Sequence, residues 1–287
     1  MQRKRLTITL VVIALLGSCA VIEDPDLSGM SFSAEPLLGK AVWHDLITED
    51  IGAAKSFYGG LFGWTLEPSK TIDGRQYLLA RQGNRYVAGL LSVAPRTDGQ
   101  KISRWLPYVS VADVDVAAAA TKASGGKIIV APRELGFGRV AAIADPDGAV
   151  IGLARSKFGD PDNITTAPMA GAVIWNELLA NDSQASAEFY ERVFAYNAVA
   201  TTRRGGPYTL LKAGGEDRAG ILTKPGTNWN SEWLTFFGVA DPAAAAARAE
   251  KLGGRVLLPV SDELRNGTMA IVTDPSGAVL VLQKLVY

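Results

Sequence analysis

One long pattern occurs twice in this 287-residue chain, and this duplication limits the folds that are open to it. The stretch WHDLITEDIGAAKSFYGGLFGW begins at Trp43, and WNELLANDSQASAEFYERVFAY begins at Trp175, 132 residues later. Segments further along match at offsets that drift down to 128 residues, as expected when loops between matching elements differ slightly in length. A repeat this long predicts two copies of one globular domain rather than a solenoid of short units.

Hydrophobic periodicity predicts the same order of elements twice within each copy. In the first copy, KAVWHDLIT reads as a strand, and Asp50 caps a helix. The apolar positions of that helix form one buried stripe, made of Ala54, Phe57, Tyr58, Leu61 and Phe62. Three short strands follow, and the order strand, helix and three strands recurs from Trp105. Each domain therefore holds two βαβββ modules, and DPDGA and DPSGA are tight turns before the last strand.

The predicted fold class is α+β, with two tandem domains at residues 40–157 and 169–287. A polar, proline-containing linker at residues 158–168 joins them. Each domain has about 120 residues, which is a normal size for an independent core.

The N-terminus has the features of an export signal. Arg3, Lys4 and Arg5 precede an apolar stretch of eleven residues, too short to span a bilayer, which ends in LGSC at Cys19. This resembles a bacterial lipobox and predicts a lipoprotein signal peptide at residues 1–18, lipidation of Cys19 and a polar tether at residues 19–39. Ala20 then indicates the outer membrane, facing the periplasm. An ordinary signal peptide or a buried free cysteine are the alternatives.

Composition excludes several other classes of protein. Cys19 is the only cysteine, so a disulfide within the chain is excluded and stability must come from the core. Without the three basic leader residues, acidic residues outnumber basic ones by three, and no basic patch indicates nucleic acid. The sequence leaves the oligomeric state open, and a monomer is compatible with it.

The ordered motifs W-x-D/E-L, FY, W-x-x-Y/F, GG and DP-x-G-A, present twice, resemble the vicinal oxygen chelate superfamily. This group contains glyoxalases, bleomycin-resistance proteins and extradiol dioxygenases, and the resemblance is greatest to its two-domain glyoxalase-like branch. It covers residues 40–286. The resemblance implies that two modules form a curved sheet around a cleft that holds a ligand or a metal.

Many members of this superfamily bind a divalent metal through His and Glu on four strands. The resemblance places three of the ligand positions at Trp43, Leu106 and Gly152 in the first copy, and at Trp175, Leu234 and Val281 in the second. The remaining position falls in stretches 87–94 and 219–223, which contain no His or acid. The only histidine, His44, is adjacent to a ligand position and is expected on the opposite face of its strand. We therefore expect no metal and no other cofactor.

Strand alternation predicts which side chains line each cleft. These are mainly Trp43, Asp45, Leu106 and Tyr108 in the first domain, and Trp175, Glu177, Leu234 and Phe236 in the second. Val150 and Gly152, and Val279 and Val281, continue the two surfaces, whereas Leu46, Val109, Ile151 and Leu153 are expected under the helices. Aromatic and aliphatic walls with one carboxylate suit a small apolar or aromatic molecule.

The roles of Asp45 and Glu177 remain open at this stage. Each is a candidate for general acid–base catalysis, or for accepting a hydrogen bond from a ligand. Each could instead be structural, paired with an arginine such as Arg81, Arg104 or Arg139. The tryptophans could likewise fill a closed cleft.

Three functions follow from these alternatives. The leading hypothesis is an envelope lipoprotein that binds a small apolar or aromatic molecule without a metal. The second is a glyoxalase-like or hydroxylase-like enzyme that uses a cleft carboxylate. The third is a structural or interaction protein whose clefts are filled by its own side chains.

Overall fold

A computed structural model describes residues 30–69, 71–161, 169–203, 206–227 and 229–285. The predicted signal peptide, Cys19, and most of the tether and linker lie outside the described residues. Within the described part of the chain, no helix combines the length and apolar character needed to cross a membrane.

The chain alternates strands and helices in the predicted order. The first half contains β1 (Ala41–Thr48), α1 (Ile51–Phe62), β2 (Thr65–Pro68), β3 (Tyr77–Gln82), β4 (Arg85–Ser92), β5 (Arg104–Ser110), α2 (Val114–Ala123), β6 (Lys127–Leu135), β7 (Gly138–Ala144) and β8 (Val150–Ser156). The second half contains β9 (Val173–Ala180), α3 (Ser183–Phe194), β10 (Asn197–Arg203), β11 (Gly206–Ala213), β12 (Glu216–Thr223), β13 (Glu232–Val239), α4 (Pro242–Lys251), β14 (Arg255–Leu258), a short 3-10 helix (Arg265–Gly267), β15 (Met269–Thr273) and β16 (Val279–Lys284). The predicted α+β class is confirmed.

Each domain builds one eight-stranded mixed sheet from its own two modules. The strand order is β2-β3-β4-β1-β5-β8-β7-β6 in the first sheet and β10-β11-β12-β9-β13-β16-β15-β14 in the second. At the centre, β1 runs parallel to β4 and antiparallel to β5, so Asp45 lies between Gly89 and Leu106. In the second domain β9 places Glu177 between Gly220 and Leu234 by the same pairing.

The helices follow from their caps and apolar stripes. Asp50 accepts a hydrogen bond from the backbone N–H of Ala53 at 2.9 Å, which satisfies one of the free donors at the start of α1. Asp113, Asp182 and Asp241 cap the other three described helices in the same way. The stripe predicted for α1 is buried at all five of its positions, so this prediction is confirmed.

The interior is shared between the domains, which corrects the expectation of two independent cores. One buried cluster joins Phe57, Tyr58 and Trp105 of the first domain to Phe237 and Leu280 of the second. A second cluster joins the other module of each domain, with Ile151 and Leu153 packed in the same group as Phe189 and Tyr190. The residues predicted to lie under the helices are all buried there, namely Leu46, Val109, Ile151 and Leu153. The helix-covered faces of the two sheets therefore form one common core.

Two matching hydrogen-bond chains cross between the domains. The Tyr58 hydroxyl donates to Asp274 Oδ2 at 3.2 Å and accepts from Trp105 Nε1 at 3.0 Å. The Tyr190 hydroxyl donates to Asp145 Oδ2 at 3.1 Å and accepts from the indole of Trp233 at 2.8 Å. Burial raises the pKa of both aspartates above its ordinary value. The predicted DP-x-G turns are confirmed as turns. Their aspartates also accept hydrogen bonds from tyrosines of the other domain.

His44 lies between the two domains, away from the cleft carboxylates. Its Nε2 is 3.1 Å from Oδ1 of Asn176, which occupies the matching position of the second copy. Burial lowers the pKa of His44 to about 4, so the ring is neutral at neutral pH. A structural role at the domain interface follows.

Candidate functional site

The cleft carboxylate of the first domain is surrounded by neutral hydrogen-bond donors. Asp45 is 6% exposed, and its Oδ1 accepts hydrogen bonds from Trp43 Nε1 at 2.8 Å and from the Tyr77 hydroxyl at 2.7 Å. Tyr108 on β5 lies close enough to this carboxylate to lower its pKa. We call Trp43, Asp45, Tyr77 and Tyr108 the first acid cluster.

Two glycines make room for the tyrosines of this cluster. A Cβ atom on Gly89 would lie 1.9 Å from the Tyr77 hydroxyl oxygen and 2.2 Å from Oδ1 of Asp45. A Cβ atom on Gly152 would lie 2.3 Å from the Tyr108 ring. All three distances are far inside van der Waals contact, so the tyrosine side chains occupy space that the side chain of any larger residue at these positions would fill. The first acid cluster is therefore packed with the protein's own side chains.

The protonation of Asp45 is set mainly by its burial. Desolvation raises the pKa of Asp45 to about 6, and the hydrogen bonds from Tyr77 and Trp43, together with the nearby Tyr108, offset part of that rise. A carboxyl group with this pKa exchanges a proton close to neutral pH. It has the proton affinity that general acid–base catalysis requires.

The cleft carboxylate of the second domain has the same tyrosine contact. The Tyr208 hydroxyl donates to Glu177 Oε1 at 2.8 Å, and Trp175 Nε1 donates to the Tyr208 hydroxyl at 3.1 Å. Gly220 again makes room, because a Cβ atom there would lie 1.8 Å from the Tyr208 oxygen. Tyr77 and Tyr208, like Gly89 and Gly220, are matching positions of the two copies.

Two arginines distinguish the second domain from the first. Arg203 Nη1 lies 3.1 Å from Glu177 Oε1, and Arg265 forms an ion pair with Oε2 of the same side chain. Glu177 is 1% exposed, whereas the side chain of Arg265 is 13% exposed and that of Arg203 is 42% exposed. We call Trp175, Glu177, Arg203, Tyr208 and Arg265 the second acid cluster.

The arginines proposed from the sequence as partners of these acids bind elsewhere. Arg81 pairs with Glu67, Arg139 pairs with Asp115, and Arg104 donates to the carbonyl of Ile102. Arg81 lies on β3 and Arg104 on β5, but their side chains contact these other acceptors instead of Asp45. Glu177 does pair with arginines, as the structural alternative expected, but with Arg203 and Arg265 instead of the three named, and no ion pair of Asp45 is present among the described residues.

A partly open pocket of about 320 Å³ lies against the second acid cluster. Glu177, Arg203, Tyr208 and Arg265 form its polar side. Its apolar walls include Leu179, Leu222, Leu234, Phe236, Leu258, Leu264, Met269, Ile271 and Trp229. Of the residues predicted to bind a ligand, Glu177, Leu234 and Phe236 thus line this pocket, whereas Trp175 contacts Tyr208 without lining it. Leu106 and Tyr108 stand at the matching positions in the first domain.

Sequence reasoning missed most of the residues that line this pocket, among them Arg203, Trp229 and Arg265. Trp229 covers it from the loop before β13, where Lys224 Nζ donates to the Trp229 carbonyl at 2.8 Å. Arg203 ends β10, and Arg265 begins the 3-10 helix. A difference between the two copies was the sequence signal for all three residues. In the aligned repeat, Trp229 stands opposite Lys101, Arg203 opposite Ile72 and Arg265 opposite Gly136.

The side chains present do not fit the divalent metal that the fold family implies. Trp43, Leu106 and Gly152 supply no ligand atom in the first cleft, and Trp175, Leu234 and Val281 supply none in the second. The buried carboxylate of each cleft already accepts hydrogen bonds from its own domain, and Glu263, which also lines the second pocket, is exposed. Across the described ranges, no group of three or more His, Cys, Asp or Glu side chains is arranged to hold a metal ion.

Comparison with known families agrees with the duplicated architecture. The model of the Glyoxalase/Bleomycin resistance protein/Dioxygenase superfamily matches residues 40–153 and again residues 172–282. The chain belongs to this superfamily. The resemblance seen in the repeated motifs is thereby confirmed.

Several relatives are similar over most of the chain. CFP32 of Mycobacterium tuberculosis, whose name calls it a candidate glyoxylase, is 32% identical over 251 residues, covering 86% of this chain and 95% of CFP32. The anthracycline biosynthesis protein DnrV of Streptomyces peucetius is 29% identical over 253 residues, covering 84% of this chain and 91% of DnrV.

Solved structures show the same fold at low sequence identity. The Mn(II)-bound glyoxalase of Novosphingobium aromaticivorans superposes with a TM-score of 0.55 at 16% identity, covering 86% of this chain and 82% of that chain. The 2,2',3-trihydroxybiphenyl 1,2-dioxygenase of Sphingomonas wittichii gives a TM-score of 0.54 at 13% identity, covering 87% of this chain and 92% of that chain. These likenesses concern the fold alone, since function resides in the site.

Proposed function

We propose that this protein binds a small apolar or aromatic organic molecule, without a metal, in the pocket of its second domain. The observation that carries the proposal is the pocket of about 320 Å³, which has mostly apolar walls and one polar side formed by the second acid cluster. This volume is at the lower end of the range for small-molecule sites, and such sites combine apolar walls with a few convergent polar groups.

The energetics of such a pocket favour a flat apolar body. Removing apolar surface from water contributes about 25 cal/mol per Å². Trp229 and Phe236 present aromatic rings to the pocket, and aromatic stacking adds about 0.5–1.5 kcal/mol per contact. Together these terms are compatible with micromolar binding, which corresponds to about −8 kcal/mol. The name of the relative DnrV, which refers to biosynthesis of an aromatic natural product class, also supports an aromatic ligand.

A fluorescence and thermal-shift screen against small aromatic and amphipathic compounds tests the proposal. Trp229→Ala removes an aromatic wall of the pocket and is expected to weaken binding about tenfold, because roughly 1.4 kcal/mol corresponds to a factor of ten. The matched control is Lys101→Ala, at the corresponding position of the first domain. Binding that is equally strong in both variants would place the ligand elsewhere. If no compound binds, the hypothesis of a structural or interaction protein with filled clefts would be favoured. The packed first acid cluster is the observation that supports that hypothesis.

A second candidate function is metal-free acid–base catalysis by Asp45. The observation in its favour is the raised pKa of Asp45, about 6, in a cluster of three neutral donors. The name of the relative CFP32 points to a glyoxylase assay as the first measurement. Asp45→Asn should abolish turnover if this carboxyl transfers the proton, and Glu177→Gln should not. Turnover that survives Asp45→Asn would remove the role of Asp45.

The envelope location is a further part of the proposal and rests on the leader sequence. Cys19 directly follows the small-residue site of the leader, as a lipidated cysteine does. We expect Cys19→Ser to release the protein from the outer membrane or to leave it unprocessed. Cell fractionation with the unchanged protein as control decides this, and equal membrane association of both would exclude the lipid anchor.

A further inference from the structure

The second acid cluster, which forms the polar side of the pocket in the second domain, contains two cationic side chains and one anionic one. Glu177 contributes one negative charge, and Arg203 and Arg265 contribute two positive charges. Within the described residues, neither arginine forms an ion pair with any acid other than Glu177. Glu263 also lines the pocket, but it is exposed to solvent in the loop before the 3-10 helix. Without the exposed Glu263, the second acid cluster therefore has an excess of one positive charge.

The carboxylate of Glu177 has little capacity left for a ligand. Its Oε1 accepts from Tyr208 and Arg203, and its Oε2 accepts from Arg265. A cationic ligand would have to displace one of these donors. A guanidinium, in contrast, has five N–H donors, and each arginine uses a single terminal nitrogen to contact Glu177. Both arginines thus retain donors for an additional acceptor.

Aromatic rings hold the two guanidiniums in place. The guanidinium carbon of Arg265 lies 4.8 Å from the centre of the Phe236 ring, and that of Arg203 lies 5.0 Å from the centre of the Tyr208 ring. Groups that are already ordered lose less conformational freedom when they bind a ligand. The planar donor pattern of arginine also matches the two oxygens of a carboxylate.

From these contacts we propose that the pocket of the second domain takes an organic acid, whose carboxylate binds Arg203 and Arg265 and whose apolar body lies against the leucine, methionine and isoleucine walls. This inference rests on the proposed binding function and specifies its ligand class. The first domain does not share it, because Ile72 and Gly136 stand where these arginines are and its cluster contains only neutral donors around Asp45.

A matched series of three compounds with one aromatic body tests the ligand class. We would measure binding of 2-naphthoic acid, 2-naphthamide and 2-naphthylmethylamine to the full chain by isothermal titration calorimetry at pH 7.5. The acid should bind about 10- to 100-fold more tightly than the amide, as expected for charge-assisted hydrogen bonds, and the amine should bind least. Raising the ionic strength should weaken binding of the acid but not of the amide.

Substitutions in the second acid cluster give effects of opposite sign. Arg203→Gln and Arg265→Gln should each weaken binding of the acid about tenfold and leave binding of the amide nearly unchanged. Glu177→Gln keeps the shape of the side chain but removes its negative charge, so it should tighten binding of the acid. Arg81→Gln, which breaks a surface pair of the first domain, is the control and should have no effect. Circular dichroism would verify folding, and Glu177→Gln remains informative if an arginine variant fails to fold.

The outcomes separate the ligand class from the binding function. If the amide or the amine binds as tightly as the acid, or if Glu177→Gln weakens acid binding, the organic-acid class is overturned while small-molecule binding stands. If none of the three compounds binds and the broader screen also gives no ligand, the proposed binding function fails and the ligand class with it.

Discussion

The two acid clusters have the same framework and different electrostatics. In both, a carboxylate at the centre of the sheet accepts a tyrosine hydroxyl at 2.7–2.8 Å, and the tyrosine fits over a glycine of the neighbouring strand. Asp45 is otherwise surrounded by neutral donors, whereas Glu177 has two guanidiniums. The central strands thus fix the position of the carboxylate, and residues at the ends of other elements determine which charges lie next to it.

A buried carboxyl group can avoid an uncompensated charge in two ways, first by taking up a proton and second by pairing with a cation. Asp45 follows the first, because its raised pKa of about 6 lets it take up a proton. Glu177 follows the second, with cations supplied by the end of β10 and by the 3-10 helix. Two sites descended from one pattern can therefore favour different ligands, although their strands follow the same order in the two sheets.

The largest expected effect comes from removing the carboxylate of the second cluster. Glu177→Leu leaves two guanidiniums close together without a counter-charge, and we expect it to lower the free energy of unfolding by about 3 kcal/mol. Asp45→Leu leaves only neutral donors without an acceptor, so its effect should be about half as large. Urea unfolding at pH 7.5 measures both. An equal or larger loss for Asp45→Leu would contradict the difference between the clusters.

The next effect concerns pH and the first cluster. Because burial raises the folded-state pKa of Asp45 to about 6, its contribution to stability is present below the unfolded pKa, near 4, and is lost as pH rises through 6. Asp45→Asn should therefore gain stability relative to the unchanged protein between pH 4 and pH 7, by about 2 kcal/mol. Unfolding free energies across this range test the prediction, and a difference that is independent of pH would contradict it.

A smaller effect should be common to both domains. Gly89→Ala and Gly220→Ala each place a Cβ atom less than 2 Å from a tyrosine oxygen, and we expect each to lower the free energy of unfolding by about 1–2 kcal/mol. Gly59→Ala in α1 is the matched control, because its Cβ would make only an ordinary contact of 3.5 Å. Thermal unfolding would measure all three variants. A large loss in one domain alone would show that the tyrosine contacts are not equivalent.

The smallest effect comes from the tyrosine hydroxyls themselves. Tyr208→Phe removes one of three donors to Glu177, and the arginines remain, so we expect a loss below about 1 kcal/mol. Tyr77→Phe removes a hydrogen bond that lowers the pKa of Asp45, so the pKa of this carboxyl should rise further. NMR titration of Asp45 reports the shift, and an unchanged or lower pKa would exclude Tyr77 as a determinant.

The sequence predicted the elements well because the repeat recorded each of them twice. The stripe of α1, the order of the modules and the turns at Asp145 and Asp274 all depend on local patterns, and all are present in the structure. Successive side chains of a strand point to opposite faces of the sheet, so Asp45 and its neighbour His44 lie on different sides of β1. His44 accordingly contacts the other domain.

The partners of the carboxylates depend on contacts that local patterns do not contain. Tyr77 and Gly89 matched Tyr208 and Gly220 in the repeat, but their contact with the acid requires the register between neighbouring strands. Arg203 ends β10 and Arg265 begins the 3-10 helix, where the two copies differ in sequence, and no periodicity predicts where a side chain at the end of an element points. The shared core was also missed, because the expectation of two independent cores rested on the length of each domain. Length does not show which surface the helices of a domain cover.

The shared core has a consequence for how such a duplicated chain can change over time. Each half supplies part of the other half's interior, through Phe57 and Phe237 in one cluster and Ile151 and Tyr190 in the other. A gene that lost either half would leave the remaining half with an uncovered apolar face. The sheet faces that carry the two acid clusters have no such dependence on the other half, since each sheet is built by one domain alone. Both halves of the duplicated chain are thus retained because each buries apolar surface of the other. The residues of each cleft can change independently, so the two clefts can differ in chemistry.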